Sequence, residues 1–139
     1  MKRFHFRLER VLTFRRGQAD IEKAKLVALE AELSKLREDL MRLNDAFLVE
    51  VRNVKPNPVD RAELGRYRMV VETQALRIHQ RIQEMQSQVS MQKGIYVKAN
   101  QAAEVLTKVK DKQKKTWEQD LQKEIDSLAM DSYLARWKN

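Results

Sequence analysis

Between Leu26 and Phe47 an apolar residue recurs at alternating spacings of 3 and 4: Leu26, Leu29, Leu33, Leu36, Leu40, Leu43 and Phe47. A helix turns once in 3.6 residues, so this alternation holds one apolar seam along one side of a helix and demands a partner helix against it. A second seam follows the same rule in the second half of the chain. It runs through Val71, Ala75, Ile78, Ile82, Met85, Val89, Gln92, Tyr96, Ala99, Ala103 and Leu106, with Gln92 its only polar member.

Between the seams lies the one proline cluster, Val54-Lys55-Pro56-Asn57-Pro58-Val59-Asp60. Two prolines remove two backbone donors and push the residues before them toward extended geometry, so no helix runs through. Asp60, with Glu63 three residues on, suggests an acidic cap and first turn for a second helix.

Two seams joined by a short turn predict an all-α fold, a long two-helix antiparallel coiled-coil hairpin. If the turn centres near residue 57, facing residues have numbers that add to about 114. Leu43 then meets Val71, Leu36 meets Ile78, Leu29 meets Met85, Leu12 meets Ala103 and Leu8 meets Leu106, all at 114 or 115. Glu22 falls opposite Gln92. Such a polar layer either fixes register at some cost in stability or is a locally wet, weak layer.

The predicted organisation is a single coiled-coil domain over 1–139. Helix 1 spans about 4–54, the turn about 55–59 and helix 2 about 60–137. At about 1.5 Å per residue the helices would be roughly 75 and 115 Å long, a stiff rod. Residue 4 should lie opposite about residue 110, which leaves 111–139 as an overhanging C-terminal helix. There the seam loses phase, passing through Lys110, Gln113, Trp117 and Asp120. A second stripe follows with Leu121, Ile125, Leu128 and Leu134, and with Trp117 and Trp137 nearby. An apolar stripe without an internal partner calls for one from outside.

Composition agrees with helices and disfavours chemistry. Charged residues are 35% of the 139, with 3 Gly, 2 Pro and no Cys. So few turn formers argue against a sheet, and the mixed signs with regular apolar spacing argue against a disordered tail. The absence of Cys excludes disulfides and thiolate metal sites. His5 and His79, the only histidines, sit among polar or basic neighbours and read as surface residues. No metal and no cofactor are expected. There is no phosphate loop, no nucleophile elbow and no pocketed carboxylate pair, so the expectation is a protein that is not an enzyme. Gly17 and Gly94 read as exposed helical glycines.

No stretch approaches the roughly 20 apolar residues of a membrane span, and the basic N-terminus lacks the apolar core of a signal peptide. The expectation is a cytoplasmic chain without direct membrane insertion. The net charge of +8 would attract nucleic acid, anionic lipid or an acidic protein. The run Lys108-Val109-Lys110-Asp111-Lys112-Gln113-Lys114-Lys115 is a solvated face or a contact for acidic protein or phosphate. No basic stripe with stacking aromatics is present, so nucleic acid is not the expected partner.

The two ends carry a more specific signal. The N-terminus reads Phe4-His5-Phe6-Arg7-Leu8-Glu9-Arg10-Val11-Leu12-Thr13-Phe14-Arg15-Arg16. Its aromatics, Leu-Glu-x-Val-Leu pattern and basic step resemble the opening of the flagellar export protein FliJ family. The segment Ile125-Asp126-Ser127-Leu128-Ala129, after Trp117 and Leu121, resembles the Leu-Asp-Glu-Leu-Ala-like motif near that family's end, with Ile for Leu and Ser for Glu. Tyr67 early in the second helix also fits.

The resemblance implies a non-catalytic stalk or adaptor of the bacterial flagellar type III protein export apparatus. Its paired ends would sit in a hexameric export ATPase ring, its turn-side half would contact the export gate membrane protein, and it would handle export chaperones. It would lie at the cytoplasmic face of the inner membrane. Implied ring contacts are Phe4, Phe6, Leu8, Val11, Arg15, Arg16, Trp117, Leu121, Leu128, Leu134 and Trp137. Implied gate contacts are Leu43, Phe47, Tyr67 and Val70. A stalk or chaperone of a virulence type III secretion system has nearly the same shape and stands as the alternative, with a nucleic-acid-binding coiled coil behind it.

Overall fold

The computed structural model describes residues 2–138 and is an all-α, antiparallel two-helix hairpin. Helix α1 is Glu9–Asn53, 45 residues, and α2 is Pro58–Lys138, 81 residues. No strand occurs among the described residues.

The connection obeys the proline chemistry, with one change at the cap. The Asn57 side chain, not Asp60, caps α2: its Oδ1 accepts from Val59 N at 3.1 Å, and its carbonyl accepts from Arg61 N at 3.0 Å. Pro58 then takes the first helical position, where a missing N–H costs nothing and a fixed φ suits the helix. Asp60 sits in the first turn, where its charge faces the positive end of the helix dipole.

The chain separates into two compact units, Ile21–Tyr96 and Met1–Asp20 with Val97–Asn139. Within the first, Leu33, Ile82 and Met85 form a buried cluster, with Leu29, Leu36, Leu40, Ile78 and Val89 packed against it. Among them Leu29 and Met85, Leu33 and Ile82, and Leu36 and Ile78 are pairs that add to 114 or 115. Gln92 reaches Glu22 across the seam, and Phe47 meets Tyr67 with ring centroids 6.1 Å apart. Arg81 pairs with Glu32 at 3.6 Å on the outside, a contact worth little between half-exposed groups.

In the second unit Leu12 is fully buried, and Ala19 and Ala103 nearly so. Here the N-terminal end differs from expectation. Helix α1 starts at Glu9 rather than near residue 4. Lys2, Arg3 and Arg7 would oppose the dipole of a helix begun earlier, whereas Glu9 in the first turn complements it. Instead residues 2–6 form a non-helical strap along α2. Non-helical chain rises more per residue than the 1.5 Å of a helix, so the strap reaches farther along α2 than helix would. Phe4 therefore meets Trp117 instead of residue 110, with ring centroids 5.8 Å apart.

The unpaired overhang is correspondingly shorter than 111–139. Trp117 and Leu121 are half-buried, and continuous exposure begins at Gln122. Gly17, Gly65 and Gly94 all lie inside helices with ordinary φ, and a Cβ at any of them would meet nothing within 4 Å.

Candidate protein-docking ends

The unit holding both termini gathers most of the residues singled out at the two ends. Phe6 is buried at 4% exposure, and Glu9 N donates to its carbonyl at 3.2 Å, closing the turn that starts α1. Trp117 donates its indole N–H to the Lys2 carbonyl at 3.3 Å while its ring lies against Phe4. Lys2, Trp117, Asp120, Leu121 and Glu124 line a shallow hollow at the strap's edge. Phe4, Phe6 and Trp117 thus pack against this chain itself, and the surface they offer a partner is correspondingly small.

The arginines are available. Arg15 donates to Gln18 Oε1 at 3.4 Å, and Arg16 reaches across to Thr107 Oγ1 at 3.2 Å, both exposed. Lys110 crosses to Glu9 at 2.8 Å. Leu8 and Val11 are each about two-fifths exposed.

The C-terminal stripe splits into two. Trp117, Leu121, Ile125 and Leu128 follow one another at spacings of 4, 4 and 3 and share a side of α2. Leu134 does not join them. It lies nine residues from Ile125, about two and a half turns, and so points the opposite way. Trp137 stands in the same relation to Leu128. Leu134 groups instead with Met130, Tyr133 and Trp137, and the rings of Tyr133 and Trp137 lie 6.1 Å apart. Leu128, Leu134 and Trp137 are 56, 52 and 74% exposed. No helix-wide stripe exists here because the apolar positions change side after Leu128.

At the turn-side end, Leu43 and Phe47 belong to the seam and are half-buried, beside the buried Val71. Tyr67 is half-buried against Phe47. Val70 is 52% exposed and borders a shallow hollow with Met69, Thr73, Gln74 and Arg77. Of the four, Val70 alone faces outward fully.

The contact that sequence alone missed is the strap on Trp117. The alternation Phe4-His5-Phe6 carried the signal, since a period of two suits extended chain with both rings on one side.

Among the described residues no group of three or more His, Asp or Glu is placed to hold a metal ion, and no helix is long and apolar enough to cross a membrane. No family model, no curated protein and no solved structure matches the chain.

Proposed function

We propose that this chain is a non-catalytic stalk and adaptor of the bacterial flagellar type III protein export apparatus. The ends would enter a hexameric export ATPase ring, and the turn-side half, through Tyr67 and Val70, would meet the export gate membrane protein at the cytoplasmic face of the inner membrane. Export chaperones complete the set of partners. The observation that carries this reading is the union of the two motif-bearing ends: Phe4 lies on Trp117, and the exposed Leu128, Leu134 and Trp137 follow on the same helix. A ring that meets an asymmetric shaft finds a different face at each subunit, and differential contact of that kind shifts conformational populations.

The test is steady-state ATPase activity of the cognate ring against added protein. The expected result is a saturable rise in rate, with no hydrolysis by this chain alone. Arg15→Glu with Arg16→Glu should weaken binding and stimulation together, and added salt should do the same. Leu128→Ala should act through lost burial with less dependence on salt. No stimulation and no co-migration on gel filtration would overturn the stalk reading. Stimulation of a virulence-system ring and not a flagellar one would move the chain to that system.

A further inference from the structure

Heptad phase divides the surface of the unit containing both termini into two unlike sides. Leu12 and Ala19 on α1 and Tyr96 and Ala103 on α2 hold the a positions. The e positions are then Glu9, Arg16, Asn100, Thr107 and Lys114, and the g positions Val11, Gln18, Ala102 and Val109. In an antiparallel pair the e residues of both helices flank one side of the seam and the g residues the other. The contacts agree for the e side, where Arg16 meets Thr107 and Lys110 meets Glu9. That side is polar and carries the cross-helix contacts of this unit.

The g side is apolar. Val11 falls between Ala102 and Val109, and the neighbouring c positions add Phe14 and Val105. Phe14 and Val105 are each 60% exposed, Val11 42% and Val109 37%, and Ala102 is half-buried. The charges are segregated as well. Over Glu9–Asp20 and Val97–Lys115 the c, f and g positions contain Arg10, Lys98, Lys108, Lys112 and Lys115 and no carboxylate. The acidic residues of these stretches, Glu9, Asp20, Glu104 and Asp111, all fall at e or b. Lys98 and Lys112, at c, flank the g side, and Arg10, Lys108 and Lys115, at f, lie on the outer face; among the described residues none of the five takes part in an ion pair.

We infer that this groove seats a third helix, supplied by a partner whose apolar stripe is flanked by carboxylates. The groove runs along the helix pair, and from Lys98 to Lys112 it is about 21 Å long, roughly four turns of a bound helix. A seam of Val and Ala beside a flanking Phe matches the ridge of a helix. Membrane-surface helices instead project large Trp, Phe and Leu side chains toward the acyl chains from one face. Nucleic acid would find phosphate partners on the rim but an aliphatic floor that does not stack bases. Charge complementarity selects an acidic helix over a neutral or basic one. Val11 belongs to both this face and the proposed ring contacts, but Val105, Lys98 and Lys112 are not among the ring contacts, so substitutions at these three separate the two readings.

The probe is a fluorescein-labelled, three-heptad designed helix with Leu and Ala at its apolar positions and Glu at its flanks, with a sibling carrying Lys at those flanks. Anisotropy is read on the full chain. The Glu helix should bind saturably and the Lys helix should not. Val105→Lys should weaken binding about tenfold or more, with an unchanged helical melt by circular dichroism, since Val105 is exposed. Lys98→Glu with Lys112→Glu should reverse the preference toward the Lys helix, a gain that misfolding does not produce. Lys114→Glu, on the e side, should leave binding unchanged. The inference is overturned if the Glu helix does not bind, if Val105→Lys leaves binding intact, or if the chain ignores both helices yet binds phosphatidylglycerol vesicles or duplex DNA.

Discussion

Gln92 donates its side-chain amide to the Glu22 carboxylate, and the same amide reaches the Glu22 carbonyl at 3.1 Å, from 70 positions along the chain. The pair is the one polar layer in the Leu26–Val89 end of the seam, and both members are half-buried. A shift by one heptad would place the amide against Leu29 or against the cation of Arg15, and either loses the carboxylate acceptor, so the bond favours the register at 114.

The bond from Gln92 holds the Glu22 carboxyl below the ordinary carboxylate range. Desolvation opposes this, and Lys25 at 3.4 Å adds to the lowering. A carboxyl lowered by folding contributes stability above its unfolded pKa and loses that contribution as pH falls through its folded pKa. Stability should therefore decline as pH drops from about 5 toward 3, and Glu22→Gln should flatten that part of the profile. Urea midpoints against pH, with a carbon-13 titration of Glu22, check this. An ordinary Glu22 titration, or an equal slope in the variant, contradicts it.

Core and tail positions should separate sharply. Met85 is 1% exposed inside the Leu33–Ile82 cluster, so Met85→Ala should cost about 2–5 kcal/mol. Leu134, half-exposed, should change stability by no more than about 0.5 kcal/mol when cut to Ala. Chemical denaturation of the two variants decides the matter, and equal costs would place Leu134 in a core.

Deletion of 125–138 should leave the helical melt and the Trp117 environment intact. Deletion of 111–138 removes Trp117 and with it the seat of Phe4, so residues 2–8 should become susceptible to limited proteolysis. Equal protease resistance in the two truncations would show that the strap does not depend on Trp117.

Phe4→Ala should expose the Trp117 ring and free its indole partner. In a Trp137→Phe background the tryptophan emission should shift to the red, with a stability loss of about 1 kcal/mol for the lost ring pair. An unmoved emission maximum would mean that Trp117 is covered by something other than Phe4.

Gly17 and Gly94 lie inside helices with open space where a Cβ would sit. Gly17→Ala and Gly94→Ala should each stabilise the chain by about 0.5–1 kcal/mol, because alanine has less backbone freedom to lose. A loss of stability at either site would show that its glycine answers a constraint absent from the free chain.

Period, turn and register were legible in the residues alone. The 3–4 spacing is set by helix geometry, the break by two prolines, and the pairing of Leu33 with Ile82 or Glu22 with Gln92 by counting outward from that break. These are local or nearly one-dimensional constraints. The cap was misassigned by three residues because Asn57 and Asp60 are both good caps, and the position of Pro58 favours the first.

What only the tertiary structure decided was the fate of the ends. Whether residues 2–8 continue a helix or lie extended depends on where Phe4 and Phe6 find surface, and that surface belongs to α2, more than 100 positions away. The period of two in Phe4-His5-Phe6 suits extended chain, but nothing local names Trp117 as the residue it packs on. Likewise the apolar residues after Gln122 look like one stripe when read as a string, but nine residues is two and a half turns. Ile125 and Leu134 therefore face opposite ways. The exposed apolar side formed by Val11, Ala102 and Val109 arises because pairing two helices brings their g positions together, which neither helix does alone.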